Sequence, residues 1–577
     1  MKAWLVLTSL FVSSNTFNID TKNAVLHTMP SGYFGYSLDF YNEEKGMPVL
    51  VVGAPESEST NPSLRGIRRP GAVYTCSVNK ATCREVHVDK KPGNERRLNG
   101  SVLAPIEDKA HQFFGATVKS NKKHDKLLMC APKYKYFFSK FEVIEPVGTC
   151  FFAEQGFTRT EEFAPCRQER EFSAGQRCSS ERLECGTGKE RFLVRTSETL
   201  ATAQTRSMEE RRYATASGDL DGDGVDDIVA GVPRGNNLAG KLVLYTSRLK
   251  MLLNLTDSVS QQQGQYCGSS VAVTDLNKDG RDDIIMGCPF YTDYVTVKDV
   301  KTQERKPQYD VGKVVVFFQT SPGVFDRQEV IVGEDQWGRF GFSLAATGDL
   351  NQDGYNVSVY AFKDHVHSSR FLADVVVGAP YAGKNMAGAA FIIHGSKDGV
   401  RTKYTQKIEG HKFGPRMRTF GFSVAGGVDI DGNGMPDIAV GAWKSGNAAV
   451  LTTKPVVTLT GQTDADSVTI NVEDKNCDVD AKIGRQSCRN INTCLRYEGR
   501  GDTPNSLEFV LRYNLDDHSP EPRAYFLQRD INADRDISIA KESKTRDHPN
   551  IIERRVRLEK NRLKCIKQRF FASSTMR

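Results

Sequence analysis

Four short stretches hold the residues best placed to do chemistry. They are Asp219-Leu-Asp221-Gly-Asp223-Gly-Val225-Asp-Asp227, Asp275-Leu-Asn277-Lys-Asp279-Gly-Arg281-Asp-Asp283, Asp349-Leu-Asn351-Gln-Asp353-Gly-Tyr355-Asn and Asp429-Ile-Asp431-Gly-Asn433-Gly-Met435-Pro-Asp437. Counted from the first Asp, side-chain oxygens fall at positions 1, 3, 5 and 9, and position 7 (Val225, Arg281, Tyr355, Met435) adds a backbone carbonyl. Oxygen donors at this spacing can encircle a hard cation, and calcium accepts roughly six to eight of them in flexible geometry. Glycine at position 6 permits the sharp turn. An EF-hand would need Glu at position 12, where three of the loops have Ala230, Met286 and Val440. Their flanks, such as Val271-Ala-Val and Ile284-Ile-Met, read as strands. One such loop could be a solvated turn; four at matching places cannot be dismissed that way.

The third loop has Asn356 where position 8 should end, and then residues 357–373 before the apolar run Val375-Val-Val. The loops start at 219, 275, 349 and 429, and removing 17 residues cuts the last gap from 80 to 63. It also joins Asn356 to Asp374, restoring a carboxylate at position 9. Asp374, rather than any residue of the insertion, is therefore expected to complete the third site.

The elements that must position these loops recur. An aromatic-Gly pair and a short apolar strand lead to a second strand ending in Gly-Ala-Pro or a relative. Phe34-Gly35 leads to Gly53-Ala54-Pro55, Phe114-Gly115 to Ala131-Pro132, Cys267-Gly268 to Gly287-Cys288-Pro289, Phe340-Gly341 to Gly378-Ala379-Pro380, and Phe420-Gly421 to Gly441-Ala442-Trp443. A unit near 213–233 keeps the acidic loop and Gly231-Val232-Pro233 without the aromatic-Gly pair. A repeat of about 60 residues built from short strands with glycine punctuation predicts an all-β fold, a β-propeller whose blades bury one another. The aromatic is expected between blades, with its glycine allowing close backbone approach.

Composition narrows the function. The 577 residues carry 78 Lys+Arg and 71 Asp+Glu, and the whole net charge of +7 resides in 551–577. Residues 1–550 are balanced, which argues against a nucleic-acid-binding body. That basic tail reads as solvated strand edge, where charge discourages pairing. Lys2, the apolar run Trp4–Val12 and then Ser13-Ser14 read as a signal peptide over 1–16. No other run has the length to span a bilayer, so the expectation is entry to the secretory pathway with no membrane span in this chain. Thirteen cysteines suit that oxidising route, and no CxxC pair suggests structural zinc. Asn99-Gly-Ser101, Asn254-Leu-Thr256 and Asn356-Val-Ser358 are N-glycosylation sequons.

With these features together, the chain resembles an integrin α subunit of the invertebrate type without an inserted ligand-binding domain. The repeats, the four loops in the later blades, Ala164-Pro165-Cys166-Arg167 and Phe17-Asn-Ile-Asp20 carry the resemblance. It implies a seven-bladed propeller over 17–453, then over 454–577 part of an immunoglobulin-like β-sandwich, the thigh domain, at Cys477, Cys488, Cys494, Cys565 and Leu511-Arg-Tyr-Asn514. It further implies about four structural calcium ions, an integrin β subunit as partner, extracellular-matrix protein as ligand, a place at the cell surface, and no catalysis. The chain departs from the family pattern in blade three, which lacks a Gly-Ala-Pro-like strand end from Cys185 to Tyr213, and in the insertion at 357–373. It departs again in Cys267 and Cys288, which replace Phe and Ala, and in stopping inside the thigh.

The expected disulfides are Cys76–Cys83, Cys130–Cys150, Cys166–Cys178, Cys477–Cys488, Cys494–Cys565 and Cys267–Cys288, leaving Cys185 unpaired. Competing readings are weaker. Gly235–Lys241 and Gly378–Lys384 fit GxxxxGK, but Leu242 and Asn385 stand where a phosphate loop needs Ser or Thr. HExxH and GxSxG are absent. Arg500-Gly501-Asp502 reads as a polar turn between strands, although the tripeptide is one that integrins recognise in ligands. The runner-up function is a secreted calcium-dependent propeller, or decoy, acting without a β subunit.

Overall fold

The computed structural model describes residues 3–4, 19–30, 32–44, 47–99, 101–138, 143–164, 214–296, 305–352, 374–400, 404–465, 469–471, 473–479, 484–515, 523–527, 537–541 and 551–572. The chain divides into two compact units, Phe17–Lys454 and Pro455–Arg577 with Met1–Thr16. Of the stretch read as a leader, Ala3–Trp4 is described, as a short strand beside Thr469–Ile470.

The larger unit is a β-propeller. Among the described residues it has six four-stranded antiparallel sheets. Five are sequential meanders: Ser37–Glu44 to Cys83–Glu85, Thr117–Ser120 to Arg159–Phe163, Thr215–Gly218 to Met251–Leu255, Ser270–Thr274 to Arg327–Val332, and Ser343–Gly348 to Gln406–Glu409. The sixth joins Ser423–Val428, Asp437–Ala442 and Asn447–Leu451 to Val25–Thr28 from the start of the unit. Blade three, placed by sequence before Tyr213, lies outside the described residues, as do Cys166, Cys178 and Cys185.

Second strands such as Asp283–Cys288 and Asp374–Ala379 are buried at every residue, because neighbouring blades cover both faces. This is why they read as continuous apolar runs rather than alternating ones. Phe34, Phe114, Phe340 and Phe420 lie between blades, at most 5% exposed. Their glycines meet the strand-end glycines of the adjacent blade: Gly53 faces Gly115, Gly231 faces Gly268, Gly287 faces Gly341, Gly378 faces Gly421, and Gly441 faces Gly35. At Gly378 a Cβ would collide with the Gly421 carbonyl oxygen. A serine hydroxyl ties the same seams. Ser37 Oγ donates to Gly115 O (2.9 Å), Ser270 to Gly341 O (2.7 Å), Ser343 to Gly421 O (2.9 Å) and Ser423 to Gly35 O (3.0 Å). The last bond joins the final blade to the first.

The smaller unit is a β-sandwich. One sheet orders Val456–Ala465, Arg485–Arg500, Lys564–Ala572 and Ala524–Phe526; the other orders Ser506–Asn514, Ile551–Glu559 and Ile537–Lys541. Leu495, Tyr497, Val556, Leu558 and Ile566 form its core. The strand Arg485–Arg500 takes in Arg500, so of the tripeptide read as a turn only Gly501 and Asp502 lie between the strands. Disulfides join Cys76–Cys83, Cys130–Cys150, Cys267–Cys288, Cys477–Cys488 and Cys494–Cys565. Cys267 and Cys288 occupy the buried Phe and Ala positions of the repeat, so a covalent bond there stands in for aromatic packing.

Candidate metal centre

Each acidic loop connects the first and second strands of its blade, so all four emerge from the same end of those strands. Position 1 organises the turn. Asp219 accepts the amides of Gly222 (2.7 Å) and Gly224 (3.1 Å), Asp429 those of Gly432 (2.8 Å) and Gly434 (2.8 Å), and Asp275 that of Gly280 (2.9 Å). Positions 3 and 5 repeat an Asx turn. Asp221, Asn277 and Asp431 accept the amide two residues on at 3.2, 3.1 and 3.1 Å. Asp223, Asp279 and Asn433 do the same at 2.8, 2.9 and 2.8 Å. Positions 4 and 6 turn left-handed, as at Gly432 (φ 77°) and Gly434 (φ 80°).

The position-9 carboxylates start the second strands and are 0–1% exposed. Each accepts the amide of position 2: Leu220 to Asp227 (3.2 Å), Leu276 to Asp283 (2.9 Å), Leu350 to Asp374 (2.8 Å), Ile430 to Asp437 (2.8 Å). Each also accepts an amide just past the third strand: Ser247 (2.8 Å), Gln319 (3.0 Å), Gly395 (3.2 Å) and Thr453 (2.6 Å). Asp374 thus occupies the hydrogen-bonding place of the other three, although the insertion separates it from Leu350. His394 Nδ1 lies 2.9 Å from Asp374 Oδ2. Asp353 and Tyr355 lie outside the described residues.

In the first loop, ligand oxygens of Asp219, Asp221 and Asp227 lie within 4.8 Å of one another, and Asp429, Asp431 and Asp437 converge likewise in the fourth. Burial pushes Asp283 and Asp437 up to about 7 and Asp227 up to about 6, with like-charged loop neighbours adding to the shift and backbone amides opposing it. Burial raises Asp275 and Asp431 as well. The donor set is oxygen throughout, and a divalent cation would neutralise the carboxylates that burial and mutual repulsion penalise. The donors therefore fit a hard cation such as calcium. His27, Cys76 and Cys83 also lie together, but there the two sulfurs are already joined as a disulfide.

The first strand begins beside the residue after each aromatic-Gly pair and ends at the acidic loop. In the blade that runs from Ser343–Gly348 to Gln406–Glu409, the strand Ser343–Gly348 separates Phe342 from Asp349, about 20 Å at 3.3 Å per residue. At the end away from the loops, Tyr36, Phe342, Phe422 and Trp443 cluster, with ring centroids 4.9 Å apart for Phe342–Phe422, 5.1 Å for Tyr36–Phe422 and 5.6 Å for Phe422–Trp443. Tyr33 meets Trp443 at 4.7 Å and Phe113 meets Tyr36 at 5.4 Å. Sequence reasoning did not single out this cluster. Its signal was present, since the third residue of Phe34-Gly-Tyr36, Phe340-Gly-Phe342 and Phe420-Gly-Phe422 is aromatic each time. A cleft of about 570 Å³ lies at the same end of the strands, lined by Gln262, Phe290, Tyr294, Tyr309, Asp310 and Arg339 among others. Among the described residues, no helix is long and apolar enough to cross a membrane.

The family Integrin alpha Ig-like domain 1 matches residues 453–577, an FG-GAP-like repeat matches 216–286 and an FG-GAP repeat matches 268–317. Integrin alpha pat-2 of Caenorhabditis briggsae is 66% identical, over 98% of this chain and 47% of its own length. Integrin alpha-8 of Gallus gallus is 32% identical, over 89% of this chain and 49% of its own, and Integrin alpha-PS2 of Drosophila melanogaster is 30% identical, over 91% and 40%. The chain spans about half the length, or less, of these curated relatives. Repeats, sandwich and near-complete alignment of this chain together make it a member of the integrin α family.

Proposed function

We propose that the chain is the ligand-facing part of an adhesion-receptor α subunit. It pairs with an integrin β subunit, binds extracellular-matrix protein together with it at the cell surface, and holds about four calcium ions in a structural role. Residues 17–453 act as the propeller and 454–577 as the thigh, after a leader over 1–16 that directs the chain into the secretory pathway.

The observation that carries this reading is the aromatic cluster of Tyr36, Phe342, Phe422 and Trp443, partly buried at the end of the inner strands away from the acidic loops, with Tyr33 exposed beside Trp443. Buried centres of protein interfaces are enriched in Tyr, Trp and Phe, and contiguous exposed apolar patches mark interaction sites. The neighbouring cleft, with Arg339 paired to Asp310 at 3.2 Å, offers charged and aromatic groups to a protein ligand. At the opposite end, calcium on Asp219, Asp221, Asp223, the Val225 carbonyl and Asp227, and on the matching residues of the other loops, would fasten each first strand to its second. The role is binding and not catalysis.

Co-expression with an integrin β subunit tests this. A one-to-one complex should form with the wild-type chain and be lost in Phe422→Ser, while Phe422→Tyr retains it. A chain that folds, keeps its calcium and never associates with any β subunit would favour the secreted propeller that acts without a β partner.

A further inference from the structure

The cleft of about 570 Å³ at the end of the strands away from the acidic loops has a rim that the fold does not require. Tyr309 lines it, and Trp337 stacks on Tyr309 with ring centroids 5.5 Å apart and planes 22° from parallel. Each of the two residues is 47% exposed. The backbone beneath them is common to the repeat. Parallel bridges join Gly71 to Phe114, Gly240 to Cys267, Gly312 to Phe340 and Gly388 to Phe420 at the seams between blades. Three places before the members of each bridge stand, in turn, Arg68 and His111, Asn237 and Gly264, Tyr309 and Trp337, and Asn385 and Met417. The Trp337 amide donates to Tyr309 O at 2.8 Å, as His111 donates to Arg68 O at 3.1 Å. The frame thus accepts arginine, histidine, asparagine or glycine here, and the exposed ring pair serves something other than folding.

The polar lining is preset. The Arg339 guanidinium lies 4.8 Å from the ring centroids of both Phe290 and Tyr381, and its Nε and Nη2 meet Asp310 Oδ2 at 3.2 Å. Asp310 Oδ1 and Arg339 Nη1 are left without a protein partner among the described residues, and both residues line the cleft. Gln262 accepts the Thr292 N–H at 2.8 Å and donates to Thr292 O at 3.2 Å, which fixes that wall. The Arg339–Asp310 pair is neutral in sum, so it favours neither an anion nor a cation. It sets an acceptor beside a donor, the pattern that neighbouring hydroxyls satisfy. An aromatic face is electron-rich and attracts C–H groups. A pyranose has both features, hydroxyls around its edge and C–H groups on its face. We propose that this cleft is a carbohydrate subsite. A neutral pyranose residue packs its C–H face against the Tyr309–Trp337 pair and places adjacent hydroxyls on Asp310 Oδ1 and Arg339 Nη1.

The inference goes beyond the adhesion reading and needs no β subunit. One shallow subsite should bind with a Kd on the order of 1 mM, too weak for a single site to hold the chain on a matrix surface. The full chain is titrated with cellotriose, mannotriose, lactose and triacetylchitotriose, and binding is read by saturation-transfer NMR and calorimetry. At least one probe should bind. Trp337→Ala and Tyr309→Ala should each weaken it about tenfold and leave the melting temperature unchanged. Sialyllactose should bind no better than lactose. A neutral glycopeptide, tested before and after enzymatic release of its glycan, separates the sources. Binding lost with the glycan supports the proposal with protein-borne sugar as the ligand, and binding confined to the free oligosaccharides supports it with polysaccharide as the ligand. No binding of any probe at about ten times the expected Kd overturns the proposal. Binding that both ring variants leave unchanged overturns it too, and so does a marked preference for sialyllactose, which would make the cleft an anion site.

Discussion

The amide of Leu350 donates to Asp374 Oδ2 at 2.8 Å, across the 17 residues of 357–373, in the way that Ile430 donates to Asp437 seven positions on. Asp374 therefore keeps the two backbone hydrogen bonds of a position-9 carboxylate, from Leu350 and Gly395. Asp374→Asn is expected to lower the bound calcium count by one, and deletion of 357–373 to leave it unchanged, as measured by elemental analysis after dialysis. Loss of the ion in Asp364→Asn, with Asp374→Asn unaffected, would show that the insertion supplies the ligand.

Calcium removal should loosen the later blades. Each site holds carboxylates that burial and like charge disfavour, and a cation bound to the folded chain alone stabilises it by about 2.7 kcal/mol at a hundred times its Kd. Heating curves in millimolar calcium should lie above those in excess chelator. Superimposed curves would remove the structural role.

The glycine seams set a third expectation. A Cβ at Gly378 would meet the Gly421 carbonyl oxygen and Ser343 Oγ, with backbone on one side that cannot swing away. Gly378→Ala should cost about 1–3 kcal/mol or more, as overpacking does. Gly66→Ala serves as a control, because nothing lies near a Cβ there and its loss comes from a positive φ alone. Equal denaturation midpoints for Gly378→Ala and wild type would contradict the close-approach account.

A buried ion pair sets a fourth. Lys313 and Asp257 are 1% and 2% exposed and bonded to each other, with the Tyr291 ring 4.1 Å from Lys313 Nζ. Burial pulls the Lys313 ammonium below the ordinary lysine value, and Asp257 opposes that. Asp257→Asn leaves a buried charge without its counter-ion and should cost about 3–5 kcal/mol, much of it recovered by pairing Asp257→Leu with Lys313→Met. A double variant no more stable than Asp257→Asn, by denaturant titration, would show that the pair is not coupled.

These cases mark what a sequence can disclose. The acidic loops were legible because their oxygens recur at fixed short spacing, and the blades because glycine pairs recur at the contacts between them. Asp374 was legible through the repeat period, which survives an insertion. The Lys313–Asp257 pair was not: Lys313 opens the strand Lys313–Phe318 and looks like an edge charge, and its partner lies 56 residues away. The aromatic cluster was hidden differently. Its members come from three blades, and ring closure, which no local pattern encodes, brings Tyr36 of the first blade against Phe422 of the last.

The central claim is that this chain adheres only with a β partner, and surface binding to matrix protein tests it most directly. The account predicts no measurable binding by the chain alone and cation-dependent binding once an integrin β subunit is present. Full binding by the isolated chain, at an affinity the β subunit leaves unchanged, would contradict it.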